Sequence, residues 1–327
     1  MKFRIGFALA TLAGVLIACG LVAYEGVGQV FSTLATMGWG FVPVFAVHLL
    51  QLLLSGLGWQ PFMRPWPRPL GLLCVLRWIR ESINGLLPVA HVGGEIFGAR
   101  LLFFRGTRAD VAGASVVLDV TVELVTQLIF TMAGIGLLLL HRRDAGEIGN
   151  ILLQLALATA AVVGFVAAQR LGLFKLVERL LDPVLQREGW LSRDALRGLH
   201  EAVQAQHREH RALAESALWH SLSWLLGTVE VWLALHFMGF DIDLREALIL
   251  ESLGQAAHSV GFMMPGAIGV QEGGLVLVGA VLGLPAEAAL ALSLAKRLRE
   301  VMLGLPGLAA WQYLEGRQLW PRKASSS

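Results

Sequence analysis

Charge is scarce in this chain: Asp, Glu, Lys and Arg make up 15% of its 327 residues, whereas hydrophobic residues make up 56%. Soluble domains carry about 25% charged residues. This shortage predicts an integral membrane protein with an all-α polytopic fold. There are only two cysteines, Cys19 and Cys74. They lie far apart in apolar segments, so the sequence contains no disulfide framework.

Several functional motifs are also missing from the sequence. No GxxxxGK[ST] phosphate loop occurs, which argues against ATP-driven transport. No HExxH or GxSxG motif and no obvious Ser-His or Cys-His arrangement supports hydrolytic chemistry. No basic face with interleaved aromatic residues indicates nucleic-acid binding. His200, His207 and His210 lack a cysteine partner, so we interpret them as part of a solvated face. We expect neither a metal nor a cofactor.

Apolar runs of about 20 residues are the candidate membrane spans. They cover residues 5–23, 39–60, 111–140, 150–169, 216–238 and 286–314. The first run also resembles a lipoprotein signal ending at Cys19, but the polytopic remainder favours an uncleaved span.

Two further apolar stretches, 81–104 and 247–284, are interrupted by glycine, proline and carboxylates. Broken backbone is tolerated at membrane depth only inside protein or beside a cavity. Each stretch is therefore predicted to be a re-entrant helical hairpin.

The chain divides into two halves around one long polar stretch. Residues 1–170 form the predicted first half and residues 216–327 the second. Residues 171–215 form the predicted cytoplasmic amphipathic linker between them. Residues 66–80, which contain tryptophan and arginine, are predicted to form a short interfacial helix.

The distribution of basic residues predicts the orientation. Most of the 26 Lys and Arg residues, including Arg77 and Arg80, fall in segments on the same side as the N-terminus. The positive-inside rule makes that side cytoplasmic, which places both termini in the cytoplasm of a bacterial inner membrane. The first hairpin then enters from the cytoplasm and the second from the opposite side.

A repeated motif connects the two hairpins. ESINGLLPVAHVGGE ends at Glu95, and MMPGAIGVQEGG contains Glu272; Pro88 and Pro265 precede these glutamates at the same spacing. Residues 82–123 align without a gap on residues 259–300. Together with the opposite orientations, this predicts an inverted repeat, which in transporters places the substrate near the midplane.

Polar residues inside the apolar segments are the candidate site, because an isolated charge at the bilayer centre costs about 2.5–3.5 kcal/mol. The predicted cavity or gating residues are Glu81, Asn84, Pro88, His91, Glu95, Asp119, Glu123, Glu251, Pro265, Glu272, Lys296, Arg297, Arg299 and Glu300. The predicted hairpin breaks are Gly93, Gly94, Gly266, Gly269 and Gly273.

Two hypotheses about these residues are open at this point. Asp119 and Glu123 are expected to pair with Lys296, Arg297 or Arg299 across the pseudo-twofold axis, either for function or only to hold spans together. Glu95 and Glu272 either cap broken helices or place a carboxylate in a polar cavity.

These motifs carry a family resemblance over nearly the whole chain. RWIRESINGLLPVAHVGGE, the following LLFFRG, the span containing Asp119 and the MPGAIGVQEGG motif resemble the flippase-like membrane domain of lysylphosphatidylglycerol synthases. Among stand-alone relatives, the chain looks most like members associated with hopanoid biosynthesis. The resemblance implies lipid translocation without the soluble aminoacyl-transfer domain, so lysyl transfer is not expected.

The favoured function is therefore a lipid transporter that moves an amphipathic lipid, such as a hopanoid, through a midplane cavity. An intramembrane lipid-modifying transferase and a scaffold for a lipid-synthesis complex are the alternatives. The expected partners are membrane lipids and proteins of lipid synthesis or export.

Overall fold

The computed structural model describes residues 27–87, 93–141, 193–260 and 269–319, and these ranges form helices without a strand. The all-α prediction is confirmed for this part of the chain. The predicted spans 5–23 and 150–169 lie outside the described residues, as does the linker up to residue 192.

The described helices fall into an N-terminal half, α1–α5, and a C-terminal half, α6–α10. The N-terminal half comprises α1 (Val27–Thr36), α2 (Phe41–Trp59), α3 (Leu70–Leu86), α4 (Gly93–Phe104) and α5 (Ala109–His141). The C-terminal half comprises α6 (Arg193–His207), α7 (His210–Phe237), α8 (Leu244–Val260), α9 (Val270–Val281) and α10 (Ala286–Leu319). Short 3₁₀ turns at Gly38–Gly40 and Gln60–Met63 extend α2 at both ends.

Two stretches among the described residues are helical, long and apolar enough to cross a membrane: Gly38–Met63 and Ala109–Leu140. They coincide with the predicted spans 39–60 and 111–140. The predicted spans 216–238 and 286–314 also form helices, within α7 and α10. Neither meets the same criterion, because polar and charged residues interrupt their apolar sequence.

One predicted boundary is wrong. The interfacial helix predicted at 66–80 and the segment predicted to start a hairpin at 81 are one helix, α3, which begins at Leu70. Prolines at 65, 67 and 69 keep the preceding backbone out of the helix, and nothing breaks it between Trp78 and Glu81. Helix α7 begins at His210, within the predicted linker 171–215.

The two broken elements have matching dimensions. Helices α3 and α8 each contain 17 residues, and α4 and α9 each contain 12. At 1.5 Å per residue these are about 25 Å and 18 Å long, shorter than a hydrocarbon core of about 30 Å. A helix of 33 or 34 residues, α5 or α10, follows each pair.

The same glycine turn ends α4 and α9. Gly106 has φ +82° and Gly283 has φ +77°, a conformation that favours glycine. The next N–H closes the turn in both cases: Thr107 donates to the carbonyl of Leu102 at 3.1 Å, and Leu284 to that of Gly279 at 2.8 Å. This is the Schellman pattern of helix termination.

The helices pack in corresponding pairs around a central contact between α2 and α7. Helix α3 packs on α10, and α5 packs on α8. In both interfaces a glycine faces a serine: Gly307 lies against Ser82, and Gly134 against Ser252. A methyl group at either glycine would overlap the serine hydroxyl, so the absence of a side chain sets the helix separation.

Candidate functional site: a charged cavity between the two halves

A polar cavity of about 680 Å³ lies among the helices. Residues of α2–α5 and α7–α10 line it, so both halves of the chain contribute. Its charged and imidazole lining residues are His48, Arg77, Arg80, Glu81, Glu95, Glu123, His220, His258, Lys296, Arg299 and Glu300. A ligand with a polar head can therefore be held inside an otherwise apolar helical assembly.

Two arginines of α3 organise the N-terminal side of the cavity. Arg77 donates to Glu123 at 2.8 Å, to Asp119 at 3.3 Å and to Glu81 at 3.0 Å. Arg80 donates to Asp119 at 2.7 Å and also pairs with Glu95. Asp119 is completely buried, so its charge depends on these partners for compensation.

The Arg80 guanidinium also stacks on the indole of Trp59, 4.7 Å from the ring centroid. This cation–π contact and the ion pairs leave the side chain only 1% exposed. Arg80 is therefore a fixed part of the wall between α2, α4 and α5.

Three basic residues of α10 organise the opposite side. Lys296 pairs with Glu251 of α8, and Arg299 pairs with Glu230 of α7. Arg297 donates to Glu300 at 3.0 Å and to Glu272 at 3.3 Å. The described Arg and Lys ion pairs around the cavity thus each join residues of the same half.

Among the described residues, the charges of the cavity and its immediate surroundings do not balance. The carboxylates number eight: Glu81, Glu95, Asp119, Glu123, Glu230, Glu251, Glu272 and Glu300. The Lys and Arg residues number five: Arg77, Arg80, Lys296, Arg297 and Arg299. The carboxylates therefore outnumber the Lys and Arg residues by three in this buried group.

Asn84 of α3 stabilises the start of α4. Its side-chain oxygen accepts the Gly94 N–H at 2.9 Å, and its amide donates to Glu95 at 3.1 Å. Asn84 therefore satisfies a free N–H at the start of α4 and leaves the Glu95 carboxylate facing the cavity. The residues just before Gly93 lie outside the described part of the chain, so the alternative that Glu95 also caps this helix stays a prediction.

Glu272 has a different role at the start of α9. Its carboxylate accepts the Gly269 N–H at 2.6 Å and the Ser293 hydroxyl at 3.2 Å, and it is 5% exposed. It caps α9 and lies behind the lining, while its neighbour Gln271 lines the cavity. Of the two glutamates that the predicted repeat aligns, Glu95 therefore lines the cavity and Glu272 caps a helix.

The other predicted site residues also divide into those that line the cavity and those that do not. Those that line the cavity are Glu81, Asn84, Glu95, Glu123, Lys296, Arg299 and Glu300. Four predicted residues are not part of the lining: Asp119, Glu251, Glu272 and Arg297. Asp119, Glu251 and Arg297 each contact a lining residue, and Glu272 caps the start of α9. Pro88, His91, Pro265 and Gly266 lie outside the described residues.

The predicted glycine breaks are partly correct. Gly93 and Gly94 begin α4, and Gly94 packs directly against the Arg80 carbonyl. Gly269 precedes α9 with φ +85°. Gly273 is not a break: it lies inside the regular helix α9.

The predicted pairing of Asp119 and Glu123 with Lys296, Arg297 or Arg299 is wrong. Both acids pair with arginines of α3 in their own half. The reason is a reversal of charge between the halves. In the N-terminal half α3 carries the arginines and α5 the acids that pair with them. In the C-terminal half α8 carries the acid, Glu251, and α10 the base, Lys296.

The sequence prediction leaves out several site residues. It places Arg77 and Arg80 among the cytoplasmic charges, and it assigns no site role to His48, His220 or Glu230. The helical spacing of polar residues does indicate His48, Arg77 and Arg80. Polar stripes recur every three or four residues on α2 (His48, Gln51, Ser55), on α3 (Arg77, Arg80, Asn84) and on α5 (Asp119, Glu123, Gln127).

The fold and the cavity define a helical membrane protein with a buried, charged polar site. The family model described as the lysylphosphatidylglycerol synthase TM region matches residues 8–307. The chain therefore belongs to this family of membrane proteins involved in lipid handling. No curated protein and no solved structure matches it.

Proposed function

We propose that this protein is a lipid transporter that moves an amphipathic lipid across or out of the inner membrane. The observation that carries the proposal is the charged cavity of about 680 Å³ built from both halves of the chain. Its volume falls within the range of about 300–1,000 Å³ typical of small-ligand sites, large enough for a lipid headgroup. The acyl or polycyclic part of the lipid would stay in the bilayer.

The inverted-repeat hypothesis is supported by paired local features. Helix lengths of 17 and 12 residues occur in both hairpins, and each hairpin ends in the same glycine turn. The contacts of α3 with α10 and of α8 with α5 correspond when the halves are exchanged. Such symmetry suits alternate opening of one cavity to the two membrane faces.

The charge distribution indicates which headgroups suit the cavity. Each Lys and Arg already contacts a carboxylate, and carboxylates are in excess. A strongly anionic headgroup would meet repulsion, whereas hydroxylated or protonatable headgroups would find acceptors. Hopanoid polyols fit this description, which agrees with the resemblance to hopanoid-associated members.

A comparison of Glu95→Gln with Glu272→Gln tests the proposal. Purified protein is reconstituted in vesicles containing, in separate experiments, acyl-labelled phosphatidylethanolamine, phosphatidylglycerol or a labelled hopanoid polyol. Leaflet exchange is followed by chemical quenching of the label. We expect the wild-type protein to accelerate exchange of at least one probe. Glu95→Gln should lose most of that activity and still fold, because Arg80 keeps its ion pair with Asp119.

Glu272→Gln is the matched variant, because it changes the equivalent residue of the other hairpin. Since Glu272 caps α9, we expect this variant to lose about 0.5–2 kcal/mol of stability while the folded fraction keeps its activity. No exchange of any probe by the wild-type protein would refute the proposal.

The same vesicles separate two other functions. A lipid-modifying transferase would convert a probe into a product of different mass, detectable by mass spectrometry of the extracted lipids. A scaffold would leave the probes unmoved and unmodified, and its role in cells would tolerate Glu95→Gln.

A further inference from the structure

Glutamines from four different helices line the cavity: Gln51 of α2, Gln127 of α5, Gln255 of α8 and Gln271 of α9. The first two belong to the N-terminal half and the last two to the C-terminal half. A glutamine side chain is uncharged and carries both a hydrogen-bond acceptor and two donor hydrogens. The cavity wall therefore contains neutral hydrogen-bonding groups in addition to its charged residues.

Two of these amides are fixed on carboxylates. Nε2 of Gln51 donates to Glu230 at 2.8 Å, and Nε2 of Gln255 donates to Glu251 at 3.0 Å. Each carboxylate also pairs with a basic residue of α10. The side-chain oxygens of both glutamines have no partner among the described residues, and they are accessible rather than buried.

The other two amides are fixed by neutral or imidazole partners. Nε2 of Gln127 donates to the Ser259 hydroxyl at 2.7 Å and to the Gln255 main-chain carbonyl at 3.3 Å. Oε1 of Gln271 lies 3.0 Å from Nδ1 of His258. Within the described part of the chain, the four glutamines thus keep three oxygens and one amino group for a ligand. Since each side chain is already held, little of its conformational freedom is lost on binding.

The charged residues of the lining are bound to one another. Each carboxylate of the described lining contacts an arginine: Glu81, Glu95, Glu123 and Glu300. Each Lys and Arg of that lining contacts a carboxylate: Arg77, Arg80, Lys296 and Arg299. A phosphate or other charged headgroup that displaces such a partner leaves a buried charge uncompensated. Hydroxyl groups require no such exchange, because they can bond to the unused atoms of the amides.

The excess of carboxylates makes an ammonium headgroup the competing candidate. An ammonium concentrates its charge and its N–H groups on one atom, so it cannot reach amides on four helices at once. A ring or chain of hydroxyl groups spreads its donors and acceptors over several atoms and can reach them together. The distribution of the glutamines therefore favours the hydroxylated ligand.

Trp224 of α7 adds a flat apolar surface to the same cavity. Its indole N–H donates to the Thr126 hydroxyl at 3.2 Å, and its ring stacks with Phe130 at a centroid distance of 6.2 Å and an interplanar angle of 17°. A polyhydroxylated group carries C–H bonds between its hydroxyls. It can therefore pack on the fixed indole while its hydroxyls bond to the amides.

We infer, on the basis of the proposed transport function, that the cavity selects an uncharged polyhydroxylated headgroup, either a sugar ring or an open-chain polyol. Gln51, Gln127, Gln255 and Gln271 recognise its hydroxyl groups, and the charged residues hold the surrounding helices. This assignment narrows the hydroxylated and protonatable headgroups to the first class. Loss of one neutral hydrogen bond corresponds to about a two- to tenfold loss of affinity.

Direct binding tests this assignment without lipid movement. Purified protein is mixed with lipids that share the same acyl chains and carry a glucosyl, open-chain polyol, primary ammonium or phosphate headgroup. Native mass spectrometry counts the bound lipid. We expect the wild-type protein to prefer the two hydroxylated lipids by about tenfold or more, because several hydrogen bonds add. The tighter of the two shows whether a ring or a chain fits better.

Glutamine variants separate recognition from stability. Gln127→Leu and Gln255→Leu should each lose about two- to tenfold in binding of the hydroxylated lipids and keep their weak binding of the charged ones. Gln312→Leu, at an exposed position of α10, is the matched control and should bind like the wild-type protein. Melting temperatures of all variants confirm folding.

A further variant, Gln127→Glu, replaces the amide by a carboxylate of the same shape. It should weaken binding of the glucosyl lipid and strengthen binding of the ammonium lipid. A purely structural role of Gln127 would change all four headgroups alike.

Three results would overturn the assignment: wild-type preference for the ammonium or phosphate lipid, no binding of any of the four lipids, or equal binding of the glucosyl lipid by wild type and both leucine variants. Failure of the transport function looks different. Preferential binding of hydroxylated lipids without leaflet exchange in vesicles would refute transport and leave the recognition by glutamines intact.

Discussion

Burial decides the importance of individual charged residues in this protein. Asp119 and Asp110 both lie on α5 and both contact arginines. Asp119 is completely buried between Arg77, Arg80 and His220. Asp110 pairs with Arg108, whose side chain is 64% exposed. The contact between aspartate and arginine is therefore important for stability at Asp119, whereas at Asp110 it contributes little.

Asp119→Asn is expected to lose about 3–5 kcal/mol of stability, because two buried arginines lose their shared carboxylate. Asp110→Asn should change stability by no more than about 1 kcal/mol, since exposed pairs contribute little. Thermal unfolding of both variants in the same detergent measures the difference. Similar melting temperatures for the two variants would contradict the assigned role of Asp119.

At the scale of elements, close contacts between helices from different halves set the geometry around the cavity. Helix α5 approaches α8 where Gly134 faces Ser252, and α3 approaches α10 where Gly307 faces Ser82. Without a hydrophobic driving force between helices in lipid, such close backbone packing supplies much of the association.

Gly134→Ala should destabilise the protein by about 1–3 kcal/mol, because the added methyl group overlaps Ser252 and pushes α5 from α8. Gly136→Ala, two residues along the same helix, is the control. A methyl group there meets no atom within 4 Å, so this variant should be neutral or more stable by up to about 1 kcal/mol. Equal effects on unfolding would exclude a packing role for Gly134.

At the scale of the whole molecule, the distribution of basic residues predicts that the hairpins enter from opposite faces. Arg77 and Arg80 no longer belong to the cytoplasmic count, because they are buried in the cavity wall. Most of the remaining basic residues still lie in segments predicted to be cytoplasmic, so the predicted orientation is unchanged.

Cysteine accessibility tests this orientation in a background without Cys19 and Cys74. Arg108→Cys, after the first hairpin, should react with an impermeant thiol reagent only when the membrane is opened. Pro285→Cys, an exposed position after the second hairpin, should react in intact cells. Labelling of both cysteines from the same side would rule out inverted hairpins.

Composition and local pattern were sufficient for the class of fold and for part of the lining. Seven predicted cavity residues, among them Glu95, Glu123 and Arg299, do line the cavity. A charge in an apolar segment must be paired or face water, and this constraint is visible in the sequence alone. Helix α3 is the exception, because its arginines fit the positive-inside pattern as well as the pattern of a buried site.

The sequence by itself determined that the chain is helical, belongs in a membrane and carries a polar site in two broken elements, because apolar run length and glycine or proline breaks are local properties. Only the tertiary structure decided which charges meet. It paired Asp119 with α3 rather than α10, made Glu272 a cap and Glu95 a cavity carboxylate, and placed His48 and His220 between the halves. Ion pairing depends on which helix faces which, and that follows from packing over the whole molecule.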